Sequence, residues 1–273
     1  MKKFLIATAA ICMSLVGCTT KKNAETQESK SLVLYYSQTG TTQAVAEEIG
    51  RLMNADIERM DVEEPYSGDF GQTIARCQEE MSKGVLPTVK PLNVNLDDYD
   101  TIFLGYPIWF GTCANPMLAL LESVDFSGKK IVPFCTFGSG GLNTSVADIR
   151  KKEPNAEILE GYGVRTARIA HMPKELDYFL KKNGYIAGEV AEYPDFTEQK
   201  PVTEEEKELF NIACGDYQFP LGTPVTVGSR PIENSTEYKY IVASTDGNES
   251  TSIIYVILSN EEGAKPEFTQ VVR

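Results

Sequence analysis

Ser31-Leu-Val-Leu-Tyr-Tyr36 runs directly into Ser37-Gln38-Thr39-Gly40-Thr41-Thr42. The first six residues are almost all apolar and β-favouring, the composition of a strand buried on both faces. The next six form a hydroxyl-rich turn. Residues 43–53 then place Val45, Ile49 and Leu52 on one face of a 3.6-residue period. A buried strand, a tight polar turn and an amphipathic helix make the first half of a βαβ unit. The sheet should therefore be parallel, with this turn at a strand's carboxyl end.

The alternation continues outward to about residue 190. Residues 55–60 offer a second strand, and residues 70–83 an inserted helix ending near Gly84. Residues 101–106 are a third strand, and residues 116–124 a helix with Pro116 in its first turn, where a missing N–H costs nothing. Residues 130–136 read as a fourth strand despite Pro133, which cannot donate to a ladder. A helix over 144–152, a strand over 156–164 and a last helix over 174–182 complete the series. Five strands and at least four helices in this order predict a doubly wound α/β sheet, in which ligands sit beyond the carboxyl ends of the strands at the switch point.

Three loops fall at such ends. The first, Ser37 to Thr42, precedes a helix N-terminus, where outward-facing amides attract anions. It holds no Lys or Arg, the next base being Arg51, and lacks both the GxxxxGK[ST] and the GxGxxG patterns. Hydroxyls and amides without a cation suit a single monoester phosphate. Alone, the loop reads equally well as a capped helix start. The second loop, Tyr106-Pro107-Ile108-Trp109-Phe110-Gly111-Thr112, is aromatic where connectors are usually polar. Trp109, the sole tryptophan, could stack on a heteroaromatic ligand or pack beneath the loop. The third, Thr136-Phe137-Gly138-Ser139-Gly140-Gly141, lets backbone approach a ligand edge closely.

Taken together, the S-x-T-G-x-T and G-x-P-I-W-x-G segments resemble those of the flavodoxin family, specifically its flavodoxin-like oxidoreductase branch. The resemblance covers residues 31–190 and implies a five-stranded parallel sheet of order 2-1-3-4-5 that binds FMN. By it, Ser37, Thr39, Gly40, Thr41 and Thr42 would hold the phosphate, Trp109 would stack on the isoalloxazine ring, and Gln38, Pro107, Ile108, Phe110 and Gly111 would complete these two cofactor-binding loops. Gly138, Ser139, Gly140 and Gly141 would line the far edge of the ring, with Phe137 of the same loop also among the cofactor-binding residues. Many flavodoxins cover the second ring face with a Tyr of the third loop, where this chain offers Phe137. The family contains electron shuttles and NAD(P)H- or quinone-linked oxidoreductases. A competing reading is a flavin-free flavodoxin-fold interaction lipoprotein, since function resides in a site rather than in a fold.

The N-terminus supplies an address. Lys2 and Lys3 precede a mostly apolar run to Val16, too short for a comfortable span and read as a signal peptide over residues 1–17. Leu15-Val16-Gly17-Cys18 resembles a bacterial lipobox, which implies lipidation at Cys18 and an extracytoplasmic, membrane-anchored lipoprotein. Residues 18–30 have no apolar periodicity and read as a tether. The chain carries −13; without residues 1–17 it holds 24 bases against 39 acids, a net −15. That sign, with no basic cluster, argues against nucleic acid. Outside the cytoplasm NAD(P)H is scarce, which makes a membrane quinone or a redox partner protein the expected electron source. Cys77, Cys113, Cys135 and Cys214 show no CxxC spacing and the chain has a single His, His171, so no zinc site is visible in the sequence.

Residues 191–273 change character. A linker-like stretch and a short helix through Ala213 lead to β runs over 224–227, 237–244, 251–258 and 268–272, with a turn signal at Thr245-Asp246-Gly247-Asn248. A small antiparallel sheet is expected, of unknown role.

Overall fold

The computed structural model describes residues 30–66, 69–138, 141–215, 217, 221–244 and 251–272. The signal segment, Cys18 and most of the tether lie outside the described residues, as do Ser139, Gly140 and the turn signal at Thr245 to Asn248.

Strands β1 (Ser31–Tyr35), β2 (Asp56–Arg59), β3 (Thr101–Trp109), β5 (Lys130–Phe137), β6 (Glu157–Ile158) and β7 (Tyr162–Arg165) build a parallel sheet. A two-residue strand, β4 (Thr112–Cys113), turns back antiparallel on β3. The order is β2-β1-β3-β5-β6, with β7 also on β5, which matches the order 2-1-3-4-5 expected.

The expected fifth strand is in two pieces. Its register on β5 runs Lys130 with Glu157 and Ile131 with Ile158, then resumes at Phe134 with Tyr162. The partner strand thus gains one residue opposite Val132 and Pro133. A proline inside a ladder removes a donor, and a bulge is how a sheet absorbs it.

Helices cover both faces. Val45, Ala46 and Ile49 of α1 (Thr41–Met53) and Leu176, Phe179 and Leu180 of α5 (Met172–Lys182) pack with Val33, Phe103 and Val132 on one side. On the other, Cys77 of α2 (Phe70–Lys83), Met117 and Leu120 of α3 (Asn115–Ser123) and Ile149 of α4 (Leu142–Lys152) enclose Leu32, Leu34, Ile102 and Leu104. Full burial of each Val, Leu, Ile, Phe or Met among these contributes about 1.5–3 kcal/mol. Helix α2 matches its expected bounds because both ends carry local signals: Asp69 accepts from Gln72 N, and Gly84 takes the left-handed C-cap conformation.

The C-terminal part is a five-stranded antiparallel sheet, ordered β12 (Glu267–Val272), β11 (Thr251–Ser259), β10 (Ser235–Ala243), β9 (Thr223–Ile232) and β8 (Lys200–Pro201). Helix α6 (Glu204–Cys214) packs Phe210 against Tyr240, Val242, Ile254 and Val256 to make a separate small core. Its N-terminus has the capping box of Thr203 and Glu206.

Candidate functional site

Strand β1 delivers Tyr36 and Ser37 to the carboxyl edge of the sheet. Ser37 is buried, and its Oγ accepts from Gly40 N at 3.1 Å, closing the first loop on itself. Gly40 sits at φ +89° as the N-cap of α1, a conformation in which a side chain would be strained. No side chain caps the helix, and no acid lies in its first turn. The first-turn amides and the helix dipole are therefore free to meet an anion.

The loop's hydroxyls divide into two kinds. Thr42 is buried and bonded to Thr136 Oγ1 at 2.8 Å, pinning the first loop to the end of β5. Thr39 is exposed and Thr41 half-buried, and neither hydroxyl bonds to another described residue. Gln38 Nε2 donates to Thr73 Oγ1 at 2.6 Å, drawing α2 over the loop.

One cation beside this loop escapes a linear reading. Arg51 lies on the exposed face of α1 with Glu48. Arg59, in register with Tyr35 across the parallel pair, donates to the Ser37 carbonyl at 3.0 Å. Its approach was readable only from the pairing of β2 with β1.

The second loop is a hairpin. Strand β3 continues through Pro107 and Ile108 to Trp109, which pairs with Thr112. Phe110 and Gly111 form the two-residue tip at φ +49° and +84°, the left-handed pair of a type I′ turn. Thr112 Oγ1 fastens the return strand to Asp148 of α4 at 2.5 Å.

Trp109 is half-buried against the core, with Tyr66 edge-on at 5.1 Å and Tyr36 at 5.9 Å between ring centres. The Arg76 guanidinium lies 3.9 Å from the centre of the Tyr66 ring. The Tyr66 hydroxyl donates to Glu80, which also accepts from Asn115 Nδ2 at 2.7 Å and Arg76 Nε at 2.8 Å. Burial, then the Glu80 hydrogen bond, raises the Tyr66 pKa well beyond the ordinary phenol range; burial does the same for Tyr36. Both remain hydroxyl donors at neutral pH. None of Tyr36, Tyr66, Glu80 or Asn115 carried a motif signal.

Phe110 is half exposed in a backbone conformation that Asn or Gly adopts far more readily. Phe110→Asn, giving the favoured Asn-Gly tip, is expected to raise stability by about 1 kcal/mol in urea unfolding. A loss would mean that packing of the ring outweighs the strained backbone.

The third loop differs from expectation at Phe137. That residue ends β5 with its side chain buried in the core, so its ring belongs to sheet packing and does not cover a ligand face. Gly138 is exposed and its carbonyl accepts from Arg165 Nε at 3.2 Å; Gly141 caps α4. A separate cavity of about 460 Å³, lined by Glu63, Glu64, Arg76, Glu79, Glu80 and Lys83 among others, contains no residue of the three loops. Its four carboxylates against two bases make it a poor host for phosphate.

The chain is similar to a candidate flavoprotein from Bacteroides eggerthii, 30% identical over 55% of this chain and 96% of that one, with a TM-score of 0.47. Another from Bacteroides uniformis is 26% identical over 55% and 98%, with a TM-score of 0.49. A flavoprotein from Lactobacillus acidophilus solved in complex with FMN is 22% identical over 53% and 98%, with a TM-score of 0.45. No curated protein matches. The sequence model of the family described as Flavodoxin matches residues 30–174. That is more than half of the 273 residues, and it takes in the first loop, the Trp109 hairpin and the third loop in one span: the chain belongs to the flavodoxin family.

Proposed function

We propose that this chain binds FMN at its three convergent loops and passes electrons outside the cytoplasm, held at a membrane surface by lipid on Cys18. The observation that carries the cofactor reading is the uncapped, acid-free N-terminus of α1 behind a loop whose Thr39 and Thr41 hydroxyls bond to no other described residue. The donor set fits a phosphate monoester. It consists of neutral amides and hydroxyls, with Arg59 bracing the loop through the Ser37 carbonyl.

Ser37 to Thr42 would hold the phosphate, the Trp109 hairpin would offer an aromatic face, and the backbone at Gly138 and Gly141 would border the ring edge. Bound FMN supplies the redox chemistry itself. The chain's residues bind, orient and exclude water. Tyr66, Glu80 and Asn115 hold Trp109 in place, and Thr42 with Thr136 locks the first loop to the sheet. A lipid-held redox protein with a net charge of −15 after residues 1–17 has a membrane quinone or a partner protein within reach.

Thr39→Ala and Thr41→Ala are expected to weaken FMN by about tenfold or more, the value of a lost hydrogen bond to a charged group, while leaving riboflavin affinity unchanged. Titration of flavin fluorescence reads both. Equal losses for the two ligands would place the phosphate elsewhere.

The anchor is tested separately. Cys18→Ser should move the protein from the membrane pellet to the soluble fraction. Continued sedimentation of the variant with membranes would remove the lipid anchor from this reading.

A further inference from the structure

We propose that the C-terminal sheet is a wall of the cofactor site, and that Arg165 is the positioning residue that joins it to the third loop. The proposal rests on the FMN reading above and assigns a role to residues beyond the 30–174 span matched by the family.

Arg165 ends β7 and reaches both parts of the molecule. Its Nε donates to the Gly138 carbonyl at 3.2 Å, and its Nη1 to the Phe268 carbonyl of β12 at 2.8 Å. The guanidinium also lies 4.1 Å from the centre of the Phe268 ring. Arg165 is half-buried, and no ion pair to a described carboxylate satisfies it. Its rigid fork is instead spent on two backbone carbonyls, a task that a lysine's single ammonium performs poorly.

The β12 backbone is shaped for this contact. Its pairing with β11 steps from Gln270 opposite Tyr255 to Phe268 opposite Val256, which leaves Thr269 as a bulge. A bulge re-aims the neighbouring backbone, and Phe268 is that neighbour. At the loop's other end, a Cβ on Gly141 would lie 2.8 Å from the Val271 carbonyl. Both glycines that frame the third loop are thus held by the same strand, Gly138 through Arg165 and Gly141 by direct apposition.

The interface is anchored rather than tethered. Arg168, only 6% exposed, pairs with Glu267 of β12 and with Glu175 at 2.6 Å, and His171 Nε2 lies 3.5 Å from Glu267. Separating the sheet would strip a buried guanidinium of one partner, which is strongly unfavourable.

If the sheet holds the loop that borders the ring, coupling must run both ways, because the effect of one site on another is reciprocal. The test uses the full chain. In Arg165→Met, FMN and riboflavin should both bind at least about fivefold more weakly, the low end of such couplings. Arg165→Lys should fall between Arg165→Met and wild type. Equal loss for both ligands separates this from the first loop, whose threonines address phosphate alone. In the wild type, FMN should slow amide hydrogen exchange across Glu267–Val272.

Unchanged affinities in Arg165→Met, or exchange protection confined to the first two loops, would overturn the proposal while leaving FMN binding intact. A wild type that binds no FMN would instead overturn the flavin reading and this proposal with it. The exchange measurement needs no variant, so it decides the question even if Arg165→Met fails to fold.

Discussion

Glu80→Ala should cost about 3–5 kcal/mol of stability, the range for breaking a buried charge pair by removing one partner. Glu80 is 9% exposed and gathers three donors from three segments: the Tyr66 hydroxyl before α2, Arg76 within it and Asn115 at the start of α3. Alanine would leave a phenol and an amide without an acceptor in a buried site, each costing about 1–3 kcal/mol. Arg76 retains some access to water, at 28% side-chain exposure, and keeps its bonds to the Glu64 and Pro65 carbonyls. Its share of the loss is accordingly smaller.

Glu80→Gln keeps one acceptor oxygen and should lose less than half as much. Urea unfolding of the two variants checks the order. A cost below about 1 kcal/mol for Glu80→Ala, the level of a surface pair, would mean that the cluster is wetter than its burial indicates. Because Tyr66 packs edge-on against Trp109, Glu80→Ala should also shift Trp109 emission to longer wavelength.

What the sequence disclosed follows the range of the forces involved. Strand and helix order comes from local periodicity and caps, and these are written within a dozen residues. Hence α2 could be ended at Gly84, whereas the sheet order came only with the family resemblance. The hairpin at Trp109 was hidden because its tip carries Phe110 where Asn normally announces a type I′ turn. Pro107 also made a continuing strand look broken.

The supporting residues were hidden for a different reason. Arg59 meets Ser37 only because β2 pairs with β1 in one register, and Asn115 meets Glu80 across 35 positions. Arg165 and Phe268 are 103 positions apart. No spacing rule addresses such contacts. Phe137 was placed in a loop because glycines follow it, yet it lies on the strand with its side chain in the core.

Trp109 poses the second large effect, and the structure changes its form. From sequence the indole was either a stacking face or a packed side chain, whereas its half-buried position between Tyr36 and Tyr66 lets it serve as both. Trp109→Ala should therefore lower stability by about 3 kcal/mol, the low end for truncating a buried aromatic because part of the ring faces solvent. It should also weaken FMN by about 0.5–1.5 kcal/mol beyond lost area, the worth of an aromatic pair. Trp109→Phe should recover most of the stability, since a smaller ring still meets Tyr66, but only part of the affinity.

The sole tryptophan makes the check direct, because no other indole contributes to the signal. In the wild type, FMN should quench Trp109 emission strongly and saturably, with the same midpoint as quenching of flavin fluorescence. Emission that stays unchanged at saturating FMN would confine Trp109 to its packing role and move the stacking face to another side chain.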